Sequence, residues 1–326
     1  MDADHRGRAT DRNAVVALGG GHGLAASLAA LRRVADDLTA VVTVADNGGS
    51  SGRLRRELGV LPPGDLRKAL AALCGDDDWG RTWAQVLQHR FASSGELHNH
   101  AVGNLLIVAL WELIKEQSGP VAGLDWVARL LGAQGRVLPM SAVPLDISAQ
   151  VAGIDPAQPG RVQTVRGQVE VATTPGRVLE VSIEPGDAPA SPEALAAIEA
   201  ASWVVLGPGS WFTSVIPHLL VPELGGALQR TAAKRLLTLN LAPQPGETDG
   251  FSPDNHLEVL AAHAPHFRVD VVLADAGAVT DAPALRRTAA SLGADLVLAD
   301  IGMADGSPHH DAERLAAAYA SVFEAN

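Results

Sequence analysis

The chain carries a single cysteine, Cys74, among 326 residues. One thiol cannot build an internal disulfide framework, so the core alone must hold the fold, and the composition fits a reducing cytoplasm. Cys74 itself reads as a small buried apolar residue near a helix end. Cations are scarce too: 25 Lys and Arg against 37 Asp and Glu leave a formal charge of −12. A broad nucleic-acid surface neutralises phosphates with clustered Lys and Arg, which this balance argues against. Any phosphate must be held locally. No apolar run is long enough to span a bilayer, because the longest, 101–114, is interrupted by Asn104 and Glu112. Residues 1–13 are charged and lack an apolar h-region, so they read as a disordered leader rather than a secretory signal. Internal repeats and low-complexity tracts are also missing. The expectation is a cytoplasmic protein with no membrane and no nucleic-acid partner.

What the chain does have is glycine at strand ends. With 47% apolar residues it can bury a sizeable core. Strand-like runs alternate with helical patterns, which predicts an α/β fold with a parallel sheet covered on both faces. The pattern gives strand 14–18, helix 24–35, strand 38–45, a short helix from about Ser51, and mainly helices between Asp65 and Gly132, with Asp65 typed as an N-cap. From 137 to 184 the character changes to β-branched runs such as Val169-Glu170-Val171, split by glycine turns, which predicts a small β-rich insertion. The alternation then resumes with helix 192–201, strand 202–206, strand 235–241, helix 254–263, strand 269–274, helix 282–291, strand 295–300 and helix 311–323.

Ligands of open α/β sheets bind beyond the carboxyl ends of strands, and the unusual loops all fall there. Gly19-Gly20-Gly21-His22-Gly23-Leu24 follows the first strand. It is neither a dinucleotide fingerprint, since Leu24 stands where the last glycine is needed, nor a Walker A loop. A strand-to-helix glycine loop still lets backbone N–H groups converge on an anion. A tight structural turn is the alternative, and His22 can face a phosphate or a base or be a bystander. After the second strand come Asp46-Asn47-Gly48-Gly49-Ser50-Ser51-Gly52-Arg53, with backbone donors, hydroxyls and a guanidinium suited to a diphosphate or sugar oxygens. Asp46 is placed to accept from ribose hydroxyls or to cap the turn, while Arg53, Arg55 and Arg56 can equally form a solvated face. Asp65, Arg67 and Lys68 divide between capping plus surface charge and ligand contact. Gly207-Pro208-Gly209-Ser210 forms a third loop, and the strand that ends at Asn240-Leu241 runs into Pro243-Gln244-Pro245-Gly246-Glu247. His98 and His100 are spaced for neither a helix face nor a carboxylate partner, so no metal site is assigned there. Asn104 reads as a polar contact under the second loop, and Asp311 as a helix cap.

Six motifs in one order carry a resemblance: Gly-Gly-Gly-x-Gly-Leu at 19–24, Thr-Val-Ala-Asp-x-Gly-Gly-Ser-Ser-Gly-Arg-Leu-Arg at 43–55, Pro-Pro-Gly-Asp-Leu-Arg at 62–67, His-x-x-Gly-Asn-Leu at 100–105, Gly-Pro-Gly-Ser-x-x-Thr-Ser-x-x-Pro at 207–217 and Gln-x-Gly-Glu-Thr-Asp-Gly at 244–250. Together they resemble the bacterial gluconeogenesis factor family (YvcK-like, UPF0052), related to 2-phospho-L-lactate transferase (CofD-like). The resemblance implies a single Rossmann-like domain over 14–326 that binds a UDP-sugar such as UDP-N-acetylglucosamine. It further implies a regulator linking carbon metabolism and gluconeogenic growth to cell-wall synthesis and cell shape, with no catalytic residue, no required cofactor and no metal. A protein partner that reads the bound state, control by a Ser/Thr kinase and a homo-oligomer are expectations of the same kind. The alternative is a magnesium-dependent phospholactyl-type transferase with a nucleoside-diphosphate donor, and the third reading is a scaffold with a vestigial cleft. Asn47 stands where the family usually has a second aspartate, His22 where it has threonine, Lys68 where it has asparagine and His309 where some relatives have arginine. On this map the backbone amides of Gly20, Gly21, His22 and Gly23 and of Gly48, Gly49, Ser50 and Ser51 hold the diphosphate and adjoining sugar, and Asp46 takes ribose or sugar hydroxyls. Gly207, Gly209, Ser210, Asn240 and Gln244 form the opposite wall, Asp65 and Arg67 close the floor, and Asn47, Arg53, Lys68 and Asn104 are further ligand-binding candidates.

Overall fold

The computed structural model describes residues 13–114, 119–244 and 246–325. The expected leader therefore lies, up to residue 12, outside the described residues. Fully apolar runs form the central strands. In β1 (Ala14–Gly19) and β7 (Trp203–Leu206) consecutive residues are buried; successive side chains point to opposite faces of a strand, so both faces of the sheet are covered. Beside β1 runs β2 (Asp37–Val42) and then β3 (Arg136–Pro139); beside β7 run β8 (Lys234–Thr238), β9 (Val271–Asp275) and β10 (Asp295–Ala299). Every pair in this seven-stranded sheet is parallel. The order β10-β9-β8-β7-β1-β2-β3 puts the reversal of winding between β1 and β7, where Leu18 pairs with Leu206. A crevice must open there, because the chain leaves the two strands in opposite directions.

The β-rich stretch expected at about 137–184 divides in two. Its first residues belong to β3, an edge of the main sheet, because Val137 and Leu138 pair with Ala40 and Val41. The remainder holds a separate antiparallel sheet of β4 (Asp146–Ala152), β5 (Val162–Arg166) and β6 (Arg177–Glu184), with β4 in the middle. Val169-Glu170-Val171 is not a strand, against the sequence reading. It lies in a short helix, Gln168–Ala172, that starts after Gly167, and tertiary placement there overrides β-propensity.

Three helices position the candidate site: α1 (Gly21–Leu31), α2 (Gly49–Leu58) and α3 (Pro63–Ala72). Both α1 and α2 begin earlier than the apolar pattern suggests, so each glycine loop supplies the first turn of its helix. α3 likewise starts at Pro63, which suits a first helical position because its missing N–H would have no partner there. Asp65 thereby falls in the first turn rather than at the N-cap. Asp311 does cap its helix, accepting from the amides of Glu313 and Arg314. Among the described residues no helix is long and apolar enough to cross a membrane.

Candidate functional site

Where the ends of β1 and β7 diverge, a cavity of about 330 Å³ opens. Its first wall is the start of α1, Gly20 to Gly23. Gly20 is extended and offers no side-chain cap, and the first backbone bond of the helix runs from Leu24 N–H to the Gly20 carbonyl at 3.2 Å. The amides of Gly21, His22 and Gly23 precede that bond, so the positive end of the helix faces the cavity. A side chain is excluded at two positions here. A Cβ on Gly20 would stand 2.4 Å from Thr43 Cγ2 and 2.7 Å from Asp65 Oδ2, and one on Gly23 would stand 2.2 Å from the Pro208 carbonyl oxygen. The loops after β1 and β7 can cross only because position 23 is bare.

The opposite wall is Gly209, Ser210, Thr213, Ser214 and Gln244. Asn240 stands behind it: its Oδ1 accepts from Gly209 N–H at 2.8 Å and its Nδ2 donates to the Gly209 carbonyl at 2.9 Å. Glu247, buried and missed by sequence reasoning as a site residue, accepts from the Ser210 hydroxyl and from Phe212 N–H, each at 2.7 Å. Burial pushes its carboxyl above the usual range. It satisfies the start of a π-helical turn, Trp211–Val215, and so fixes where Ser210 and Thr213 stand. Gln244 Oε1 is buried without a protein partner.

The floor carries the charge. Asp46, Asp65 and Lys68 all line the cavity. Lys68 Nζ donates to Asp65 Oδ1 at 3.0 Å, with Asp65 almost completely buried. Asp46 Oδ1 accepts from Gly48 N–H at 2.9 Å. Burial, and then the neighbouring Asp65 charge, raise the Asp46 carboxyl above its ordinary value. His22 at the rim is held below 6.5 by partial burial and next by Lys68.

A fourth wall comes from the insertion: Gln168, Val169, Ala172 and Thr173. No sequence signal distinguished this segment from the rest of the β-rich stretch. Asn47 joins it to the loop after β2, donating to Glu170 Oε2 at 2.8 Å and accepting from Val169 N–H at 3.1 Å. Asn47 thus faces the insertion.

The second glycine loop does not line the cavity as expected. Val169 covers Gly48, where a Cβ would meet its Cγ2 at 2.7 Å, and Ser50 and Ser51 are turned into the interior. Ser50 Oγ accepts from Asn104 Nδ2 at 3.0 Å and from Ala101 N–H at 3.3 Å. A hydroxyl has one proton and two acceptor sites, so that proton goes to His100 Nδ1, 3.1 Å away. Arg67 lies one layer lower, 2% exposed, with Nε donating to Asn104 Oδ1 at 2.9 Å and a further bond to Gln88. Ser50, Arg67 and Asn104 therefore support the site from beneath. Arg53 is spent on the carbonyls of Glu96 and His98, at 3.2 and 2.7 Å, beside a separate open cleft. Gly49 and Gly207 lie outside the lining as well.

Comparison with known proteins places the chain in a family. The profile of the family described as 2-phospho-L-lactate transferase CofD matches residues 15–313. A Mycobacterium tuberculosis protein (strain H37Rv) that bears the gluconeogenesis factor name is 55% identical over 306 residues, 93% of this chain and 88% of its own. A Mycobacterium leprae protein with the same name is 53% identical, over 94% of this chain and 85% of its own. The chain belongs to the CofD-like gluconeogenesis factor family. Its fold matches the crystal structure of a UPF0052 family member from Bacillus halodurans, with a TM-score of 0.82 and 30% identity, covering 95% of this chain and 99% of that one. In this gluconeogenesis factor homologue the glycines of the first motif and the Gly-Pro-Gly-Ser motif meet across one cavity, while the Ser-Ser and Gly-Asn motifs form the buried layer below it.

Proposed function

We propose that this protein is a cytoplasmic nucleotide-sugar-binding regulator, of the UDP-N-acetylglucosamine type, that links gluconeogenic carbon metabolism to cell-wall synthesis and cell shape. The observation that carries the reading is the α1 N-terminus opening into a polar cavity at the reversal point of a parallel sheet. Unpaired helix amides favour an anion, and the hydroxyls and amides of Ser210, Thr213, Gln168 and Gln244 suit the hydroxyl-rich remainder of a nucleotide sugar. The gluconeogenesis factor name of its relatives supports the metabolic role.

Calorimetric titration with UDP-N-acetylglucosamine, UDP-glucose and GDP tests this. Micromolar binding of a UDP-sugar that is recovered intact is the expected result. Tighter binding of GDP with consumption of a donor would instead establish the transferase reading, and no binding of any of the three would leave only a scaffold.

A further inference from the structure

The wall opposite α1 contains a chain of hydroxyls whose protons can be followed. Glu247 Oε1 accepts from Phe212 N–H at 2.7 Å, and the Ser210 hydroxyl, also 2.7 Å away, donates to the same oxygen. Ser210 Oγ then has no proton left. Its two acceptor sites go to Thr213 N–H at 3.2 Å and to the adjoining Thr213 hydroxyl. The Thr213 proton is therefore directed at Ser210, away from any ligand. Two lone pairs and no proton remain on Thr213 Oγ1, and Thr213 lines the cavity. Gln244 Oε1, a second acceptor on the same wall, meets no protein donor.

The two sides of the cavity thus have opposite hydrogen-bonding sense. The start of α1 offers the amides of Gly21, His22 and Gly23, donors that suit a phosphate. The turn after β7 offers oxygen lone pairs, which an ionised phosphate has no proton to meet. We propose that Thr213 is a specificity-determining residue that accepts a hydrogen bond from a hydroxyl or amide N–H of the sugar, with Glu247 as the positioning residue that keeps the Thr213 proton turned away. This rests on the nucleotide-sugar reading and adds to it the direction of the ligand, phosphates toward α1 and sugar toward the turn after β7. A bare nucleoside diphosphate brings no sugar donor to Thr213, so the same wall favours the nucleotide sugar over the nucleotide.

The test is titration of the full chain with UDP-N-acetylglucosamine and with UDP, for the parent, Thr213→Val, Glu247→Leu and Glu247→Gln. Valine keeps the shape of threonine and removes the acceptor. Thr213→Val should lose about tenfold in affinity for the nucleotide sugar and bind UDP as the parent does. Glu247→Leu releases the Ser210 proton, which lets Thr213 turn its own toward the sugar. It should lose the same preference for nucleotide sugar over UDP, and Glu247→Gln, whose carbonyl again accepts from Ser210 and Phe212, should restore it. The sense of the bond is read with ligands in which fluorine, which carries no proton, replaces each sugar donor in turn. One of them should bind the parent about tenfold more weakly and cost Thr213→Val nothing further. Thr213→Val that weakens UDP and the nucleotide sugar alike, or neither, overturns the inference. So does a set of fluorinated ligands that the parent binds as tightly as the unmodified one. If Glu247→Leu does not fold, the Thr213→Val and fluorine measurements decide by themselves. A parent that binds neither UDP nor UDP-N-acetylglucosamine sinks the nucleotide-sugar reading as well, which separates the two failures.

Discussion

Gly23 is the residue on which the cavity most directly depends, because the chain after β7 passes through the space its side chain would fill. The obstructing atoms are backbone, the Pro208 carbonyl oxygen at 2.2 Å and Gly209 Cα at 2.4 Å, so they cannot move aside as a flexible side chain would. Gly23→Ala should therefore part the two loops. Overpacking of this kind costs about 1–3 kcal/mol, and with main chain on both sides the upper end is expected. Denaturant titration should show the midpoint falling, and calorimetry should show nucleotide-sugar affinity lost in the fraction that remains folded. A variant with parental stability and parental affinity would mean that the crossing is not tight. Gly21 makes the contrast, since nothing lies within 4 Å of a Cβ built there, although its φ of +60° keeps glycine favoured.

Among the elements, the short helix Gln168–Ala172 has the least obvious reason to be where it is, yet it closes one side of the cavity. It is five residues long and buries only Val171, too little to order it by itself. Asn47 supplies the tie. Asn47→Ala removes both hydrogen bonds to the helix, and a loss of about 1 kcal/mol is expected. That cost should fall locally: hydrogen exchange over 167–173 should accelerate while the strands of the main sheet keep their protection, and ligand affinity should drop. Uniform acceleration across the chain would place Asn47 in the global core instead. This helix also shows the limit of what can be read from sequence. The alternation of apolar runs fixed the parallel sheet, because fully buried strands need continuous apolar stretches whatever their neighbours. The stretch Val169-Glu170-Val171 has strand composition, and only the placement of Gly48 and Asn47 against it makes it helical. The same distinction runs through the site. Gly20 to Gly23, Asp46 and Ser210 were legible because backbone geometry at a strand end follows from local sequence. Ser50, Arg67, Asn104 and Asn240 were legible as polar residues with a purpose, but whether they face the ligand or the layer behind it is decided by packing across distant segments. Glu247 sat in a quoted motif and still escaped notice, since nothing local shows that its partners lie in the turn after β7.

At the scale of the whole molecule, neutral histidines are built into the packing on several sides of the sheet. His218 is fully buried with Nε2 bonded to the Val41 carbonyl at 3.1 Å, and burial lowers its pKa from 6.5 to about 4. His100 is held below 6.5 by burial and next by Arg53, and its Nδ1 receives the Ser50 proton, so a proton added there would meet an oxygen with no acceptor site to spare. His256 and His310 are depressed by burial too. The sign follows from linkage. The unfolded chain binds protons near pH 6.5 and the folded chain does so only lower, so these groups contribute stability that is complete above 6.5 and lost as pH falls through the folded values. For His218 alone the shift corresponds to about 3 kcal/mol. Asp46 and Glu247 act in the opposite sense, because burial raises both, and their penalty is relieved as they protonate. His218, the one among these groups whose shift carries a value, sets the window: the imidazoles lose stability as pH falls from 6.5 towards about 4, and the two carboxylates offset part of that loss. Unfolding free energies from urea titrations across that window should decline with acidification. His100 sits under the start of α2, so a His100→Asn variant, which keeps a polar group beside Ser50, should flatten part of the decline. A His100→Asn variant whose stability declines as steeply as the parent's would show that His100 does not resist protonation in the folded state, and would remove the fixed Ser50 to His100 donor direction on which the layer beneath the cavity depends.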